Sequence, residues 1–263
     1  MGDGGMSEAE APPAAAPKTK PKAATRPARK GGIGRLLLRL VGLVFVVTVV
    51  IPVVWVVLYR FAPIPGTLLM AQRALEGETI RHRPVSIERI SPHLVRAVIA
   101  AEDARFCTHH GFDLEAIEAA IRANEDGGRL RGGSTISQQT AKNVFLWPDR
   151  SWVRKGVEAW FTVLIETLWP KRRIVEAYLN VAEWGDGVFG AEAAARANFN
   201  KPASKLTRTE AARLAAILPS PNRWSADAPG PYVRRRTARI LANMNAVRNE
   251  GLDACWRKPA AGR

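Results

Sequence analysis

From Leu40 to Tyr59 the chain reads LVGLVFVVTVVIPVVWVVLY, 20 residues without a charge, bracketed by Arg39 and Arg60. About 20 apolar residues carry a helix across a bilayer, so the run is read as one transmembrane helix. A buried core helix of that length would show a polar face, and a cleavable signal peptide would have a shorter apolar region and a small-residue cleavage site. Pro52 removes one backbone donor, which membrane helices tolerate when the freed carbonyl finds another partner. The first 39 residues hold eight Lys and Arg against Asp3, Glu8 and Glu10. The positive-inside rule then puts the N-terminus in the cytoplasm and everything after Arg60 outside.

This span divides the chain. Residues 1–34 are Ala, Pro, Gly and Lys/Arg with almost nothing to bury, and are expected to be a disordered cytoplasmic tail. The anchor is placed at 35–60, a juxtamembrane linker at 61–90 and a folded domain at 91–263. In the linker, Thr67 to Leu75 is a short amphipathic run that either lies on the membrane or packs on the domain. The formal charge is +15; through Arg60 there are nine basic and three acidic residues, leaving 30 against 21 in the other 203. A basic domain facing outward argues for membrane lipids or a phosphate-bearing substrate and against nucleic acid. Cys107 and Cys255 are too few for a disulfide framework and lack metal-site spacing; whether they pair is open.

From Ser91 the apolar spacing is helical almost throughout, which predicts an all-α domain. Ser91 caps a helix expected to run to about Phe106, and a second follows Asp113 toward Gly127 and Gly128, with Leu114, Ile117, Ala120 and Ile121 on its apolar face. The loop Arg129 to Gly133 leads to Thr135 and Gln138, which form a capping box opening a third helix. Ser151 caps a fourth, ended by Pro170, and Ile174 to Ala182 is a fifth. WGDGVFG, from Trp184 to Gly190, reads as a glycine-rich turn. Thr207 and Glu210 form a second capping box, and Pro231 to Asn249 is the last helix. No repeat of 20 to 50 residues occurs.

Val95, Val98, Ile99 and Glu102 fall at i, i+3, i+4 and i+7, so Glu102 projects from a core-facing stripe. Desolvation raises a carboxyl pKa toward the range useful for proton transfer, which makes Glu102 a candidate base or acid. The plainer reading is a buried carboxylate paired with Arg105 or Arg154. Gln138 and Lys142 share one helix face, as do Arg154 and Glu158 on the next, and the helix beginning near Ser134 offers free N–H groups to an anion.

The residues Glu102 to Asp113 fit E-D-x-x-F-x-x-H-x-G-x-D, which resembles the first motif of the peptidoglycan glycosyltransferases, glycosyltransferase family 51, shared with class A penicillin-binding proteins. Gly132 to Asn143 resembles the family's G-G-S-T-x-x-Q-Q-x-x-K-N segment, with Ser137 keeping the hydroxyl of the more usual Thr. Arg150 with Arg154-Lys155-Gly156-Val157-Glu158, Ile174 to Asn180, and Leu218 to Pro221 are similar to its later motifs. The resemblance covers roughly Arg83 to Met244. With no Ser-x-x-Lys transpeptidase module following, it is to the monofunctional biosynthetic type.

That resemblance implies a lysozyme-like helical fold and inverting transfer that polymerises lipid II, releasing undecaprenyl pyrophosphate at the cell inner membrane. It implies Glu102 as the base, Glu158 assisting at the leaving group, and Lys142, Arg150, Arg154 and Lys155 on the pyrophosphate. Asp103, Ser134 and Gln138 are carried over as substrate-binding. It leaves open a divalent ion, Mg2+ or Mn2+, near Glu102 or Glu158, and partners in the division or elongation apparatus beside the growing lipid-linked strand. Asp103 either orients Glu102 or bonds backbone. His109 is read as structural, Tyr178 and Asn180 as packing and helix-end positions, and Glu176 as a candidate for positioning the cleft. Trp152, Trp160 and Trp169 are read as core, with Trp147 open. A lytic glycan hydrolase is the first rival, although it has no use for the cations. A non-catalytic cell-wall scaffold is the second.

Overall fold

The computed structural model describes residues 1–2, 32–125, 133–149 and 151–257. Most of the expected disordered tail, the loop from Arg129 to Gly132, the expected helix end at Gly127 and Gly128, and Arg150 lie outside the described residues. The chain divides into two compact units, Met1–Phe45 and Val46–Arg263. The first contains helix α1, Gly32–Phe45. Among the described residues one helical stretch, Gly34–Phe61, is long and apolar enough to cross a bilayer.

The second unit opens with a π-helical turn, Val46–Val50, and α2, Ile51–Phe61. Pro52 cannot donate to the Thr48 carbonyl four residues back, and the Trp160 indole N–H donates to that oxygen at 3.1 Å. Trp169 Nε1 donates to the Val56 carbonyl at 2.7 Å, and Arg173 Nη2 to those of Tyr59 and Ala62, each at 2.7 Å. Val56 is fully buried. Trp55 meets Phe145 edge-on at 5.3 Å, and Phe145 stacks on Phe161 at 4.6 Å. One face of the C-terminal turns of the apolar helix, around Pro52 and Val56, is thus part of the core of this unit.

The domain that follows is all-α with one small sheet. Helix α3, Leu68–Leu75, is capped by Thr67 and packs against α6 with Met70 buried, while Leu68 and Leu75 stay exposed. Strand β1, Arg81–His82, pairs parallel with β3, Val188–Phe189, which pairs antiparallel with β2, Glu183–Gly185. The expected glycine-rich turn is therefore a hairpin, and strands this short carry too little alternation to read from sequence. At Gly190, φ is +85° and a Cβ would lie 2.7 Å from the Asn180 carbonyl oxygen, so only glycine fits the hairpin against α8.

The remaining helices are α4 Pro92–Glu102, α5 Leu114–Glu125, α6 Ile136–Phe145, α7 Trp152–Leu168, α8 Lys171–Val181, α9 Ala191–Phe199, α10 Arg208–Ile217 and α11 Pro231–Asn249. The two capping boxes form as expected, at Thr135 with Gln138 and at Thr207 with Glu210. α4 packs on α10 and α11, and α6 on α7 and α8. α4 stops at Glu102, short of the expected Phe106, because Asp103 leaves helical conformation and its carboxylate binds elsewhere. On α5, Leu114 and Ile121 are exposed, so the expected apolar face is only partly covered. Trp169 is core, whereas Trp147, Trp152 and Trp160 are exposed, Trp152 at 91%.

Cys107 and Cys255 form a disulfide across 148 residues. It fastens the C-terminal segment to the loop after α4. The fully buried Asp253 accepts from Arg96 Nε at 2.8 Å and from Arg257 Nη2 at 2.5 Å, and Arg172 Nη1 donates to the Trp256 carbonyl at 2.5 Å. Because a long closed loop restricts the unfolded chain, the Cys107→Ser/Cys255→Ser variant is expected to lose about 2–5 kcal/mol. Thermal unfolding with and without reductant checks this: wild type in reductant should fall to the variant's midpoint, and the variant should not respond.

Candidate active site

α4 ends at Glu102 because the next residue, Asp103, is used to join three pieces of chain. Its buried carboxylate accepts the Ile136 N–H at the start of α6 at 3.0 Å and His109 Nε2 at 2.9 Å. His109 Nδ1 in turn accepts the Gly111 N–H at 3.2 Å, so this histidine carries its proton on Nε2 and is a strut, as expected. Gly111 has φ +91° and a Cβ there would come within 2.8 Å of Thr162. Its carbonyl accepts from Thr135 Oγ1 at 2.6 Å. The spacing within Glu102 to Asp113 is thus a folding requirement: Asp, His and Gly set the end of α4 against the start of α6. Ser137 donates to Glu166, which also takes Lys171 Nζ at 2.8 Å, binding α6 to α7 and α8.

Glu102 is held from two sides. Gln139 Nε2 donates to Oε2 at 3.1 Å, and Arg236 Nη2 from α11 approaches Oε1 at 3.4 Å. Its side chain is 14% exposed. Burial pushes its pKa above the ordinary carboxylate range, against the Gln139 hydrogen bond and the Arg236 charge. It lines a cavity of about 440 Å³ with Asp103, Arg105, Asp113, Ser134 and Thr135. The Arg105 expected as its partner is taken by Asp113 and Glu115. Arg154, the other expected partner, pairs with Glu158.

The second group sits on α6 and α7. Arg154 Nη1 donates to Glu158 Oε2 at 2.8 Å and Lys155 pairs with the other oxygen; Arg154 and Glu158 are both buried, so this is no surface ion pair. Arg154 Nε, also buried, has no acceptor among the described residues. Lys142 reaches the surface, but loss of hydration holds its pKa below the usual lysine range; Glu158 pulls it back and Arg154 and Lys155 push it down. Lys142 and Arg154 line a cavity of about 370 Å³ with Leu69, Asn143, Trp147 and Asp149.

A family model described as Transglycosylase matches residues 69–245. The chain belongs to the transglycosylase family. The biosynthetic peptidoglycan transglycosylase of Rhodospirillum centenum is 61% identical over 203 residues, 77% of this chain and 88% of that protein. Its namesake in Caulobacter vibrioides is 57% identical over 223 residues, 85% of this chain and 97% of that protein. The one from Pseudomonas aeruginosa is 56% identical over 199 residues, 73% and 85% respectively.

In this transglycosylase the expected site residues divide. Glu102, Asp103 and Ser134 line one cavity and Lys142 and Arg154 the other; Glu158 and Lys155 line neither and join the second group through the Arg154–Glu158–Lys155 pairs, and the Asp103 carboxylate binds backbone and His109 rather than Glu102. Gln138 lines neither cavity, because its amide oxygen closes the capping box at Thr135 N, 3.0 Å away. Glu176 accepts the Ile87 N–H at 2.9 Å, pairs with Arg173, and lines neither of these two cavities. Sequence reasoning passed over Gln139, one residue beyond the one it named, and Arg236, whose 134-residue separation from Glu102 leaves no local signal. It also read Tyr178 as packing, whereas its hydroxyl donates to Gln139 Oε1 at 3.2 Å.

Among the described residues no three His, Cys, Asp or Glu side chains converge as metal ligands. Glu158 is occupied by two cations and Glu102 by an amide and a guanidinium, an environment that repels a divalent ion. The donor set does not fit a resident metal. Asp103→Ala should cost about 2–4 kcal/mol, since it leaves the Ile136 N–H and His109 without their acceptor. An unchanged unfolding midpoint would remove Asp103 from this role.

Proposed function

We propose that this membrane-anchored transglycosylase polymerises the lipid-linked disaccharide of peptidoglycan, with Glu102 as base and Lys142, Arg154 and Lys155 as the pyrophosphate site. The 4-hydroxyl of the incoming disaccharide attacks the anomeric carbon of the growing strand. Glu102 takes the hydroxyl proton, the new glycosidic bond forms as the bond to the lipid pyrophosphate breaks, and that group leaves with its electron pair. The anomeric configuration inverts and no covalent enzyme intermediate forms. Arg150 is proposed for the same anion, and Ser134 for the sugar side beside Glu102.

The observation that carries this reading is a half-buried carboxylate on one cavity and cations on another, with Arg154 Nε lacking an acceptor among the described residues. A carboxylate whose pKa is raised by burial takes a proton more readily than a solvated one. Cations fixed in place stabilise charge where it develops, and buried donors are rarely left without acceptors. A hydrolase of neutral sugar linkages would have no anion to offer them.

The proposed organisation is a cytoplasmic tail over 1–34, the anchor over 35–60, a juxtamembrane segment over 61–90 and the catalytic domain over 91–263 outside the bacterial inner membrane. The disulfide supports that topology, because such bonds persist in oxidising compartments.

Detergent-solubilised protein incubated with labelled lipid-linked disaccharide tests the chemistry. Wild type should yield a ladder of strands, and Glu102→Gln should lower its rate by about a hundred- to ten-thousandfold. Release of fragments from preformed glycan, without a ladder, would favour a hydrolase. Lys142→Ala should weaken substrate binding by about ten- to a hundredfold while barely moving the unfolding midpoint. Unchanged affinity would take Lys142 out of the anion site.

A further inference from the structure

The Glu102 carboxylate depends on an amide that can turn over. Gln139 presents N–H or C=O with little difference in shape, and only the N–H attracts an ionised carboxylate, which is acceptor-only. Turned the other way, the Gln139 oxygen would face Oε2 at the same 3.1 Å and repel it. Something must select the orientation, and α8 supplies it. Tyr178 is 1% exposed, and its hydroxyl donates to Gln139 Oε1 at 3.2 Å. We infer that Tyr178 is a positioning residue for the reaction: its buried hydroxyl locks the Gln139 amide so that the N–H faces Glu102, while Arg236 steadies the opposite carboxylate oxygen.

Two further observations fit. A tyrosine that selects the amide must remain a donor, and burial, aided by the Glu102 charge, holds the Tyr178 phenol well above its ordinary pKa. The hydroxyl therefore keeps its proton throughout any working pH. The remaining groups around Glu102 are Asp103 beside it, Lys142 on α6 and Arg236 on α11, with Arg105, Asp113 and Glu115 along the cavity wall. Among the described residues none of these hydrogen-bonds the Gln139 amide, whose partners are Glu102 and Tyr178, so the choice of its orientation falls to Tyr178. The chain Tyr178, Gln139, Glu102 crosses from α8 through α6 to α4, which makes a residue of the packed interior answer for the geometry of the reacting one.

The inference rests on Glu102 being the base, and the test separates the two. Full-length protein carrying Tyr178→Phe, Gln139→Leu, both, or Glu102→Gln is assayed for strand synthesis across pH. Tyr178→Phe should lower kcat by about five- to fiftyfold with KM within about twofold, because the lost bond aims the base rather than holding substrate. The N–H donation favours ionised Glu102, so losing it raises the pH below which activity falls, and the acid limb should move upward. In the double variant the Tyr178 loss should vanish into the Gln139 loss, since the hydroxyl acts only through the amide. A Tyr178→Phe enzyme within twofold of wild type with an unmoved limb, or losses that multiply in the double variant, would overturn the inference. Should Tyr178→Phe not fold, Gln139→Leu alone must show the same upward limb, and an unmoved limb overturns it. An active Glu102→Gln enzyme would sink the base assignment and the inference with it; an inactive one beside an unaffected Tyr178→Phe would sink only the inference.

Discussion

The Asp103 carboxylate lies where three pieces of the molecule meet. It takes the first free N–H of α6 through Ile136, the Nε2 proton of His109, and it ends α4 one residue after Glu102. A charged acceptor at a helix N-terminus is favourable, because the unpaired N–H groups and the helix dipole both point at it. The consequence is positional. α6 carries Gln139 and Lys142, α4 carries Glu102, and this one carboxylate sets the end of one helix against the start of the other. The cations on α7 then take their place through α6, which packs on α7 and α8 and is tied to them by Ser137, Glu166 and Lys171.

Two charge environments follow within a short stretch of surface. Glu102 loses water and becomes more basic; Lys142 loses hydration and is pushed down by Arg154 and Lys155 against the pull of Glu158, so its ammonium is less favoured than in water. Each group is left wanting what the proposed substrate brings, a hydroxyl proton on one side and a diphosphate on the other. One face of the C-terminal end of the apolar helix belongs to the core of the same unit, held through its carbonyls by Trp160, Trp169 and Arg173. A lipid-linked substrate would therefore meet a cleft whose scaffold includes part of the anchor.

Much of this was legible beforehand, for identifiable reasons. The apolar run, both capping boxes and the limits of α7, α10 and α11 rest on local rules of spacing, capping and proline, and the structure follows them. Glu102 is conspicuous because a carboxylate on an apolar stripe needs a reason, and the stretch from it to Asp113 is conspicuous by its resemblance to a family motif. What failed was long-range or side-specific. The short strands are set by pairing across more than 100 residues, between Arg81 and Val188. Gln138 and Gln139 differ by one residue, and only the helix phase tells which becomes a cap and which reaches Glu102. Arg236 and the Cys107–Cys255 bond join residues 134 and 148 apart, separations at which spacing carries no information.

In the proposed reaction Glu102, made more basic by burial, receives the proton of the attacking hydroxyl. The most direct measurement is the pH dependence of kcat/KM for strand synthesis in the wild-type protein. A base must be ionised to act, so activity should fall as pH drops through its pKa. This acid limb should lie above the ordinary carboxylate range, about 4 to 4.5. A limb at the ordinary carboxylate value, or none, would contradict that assignment.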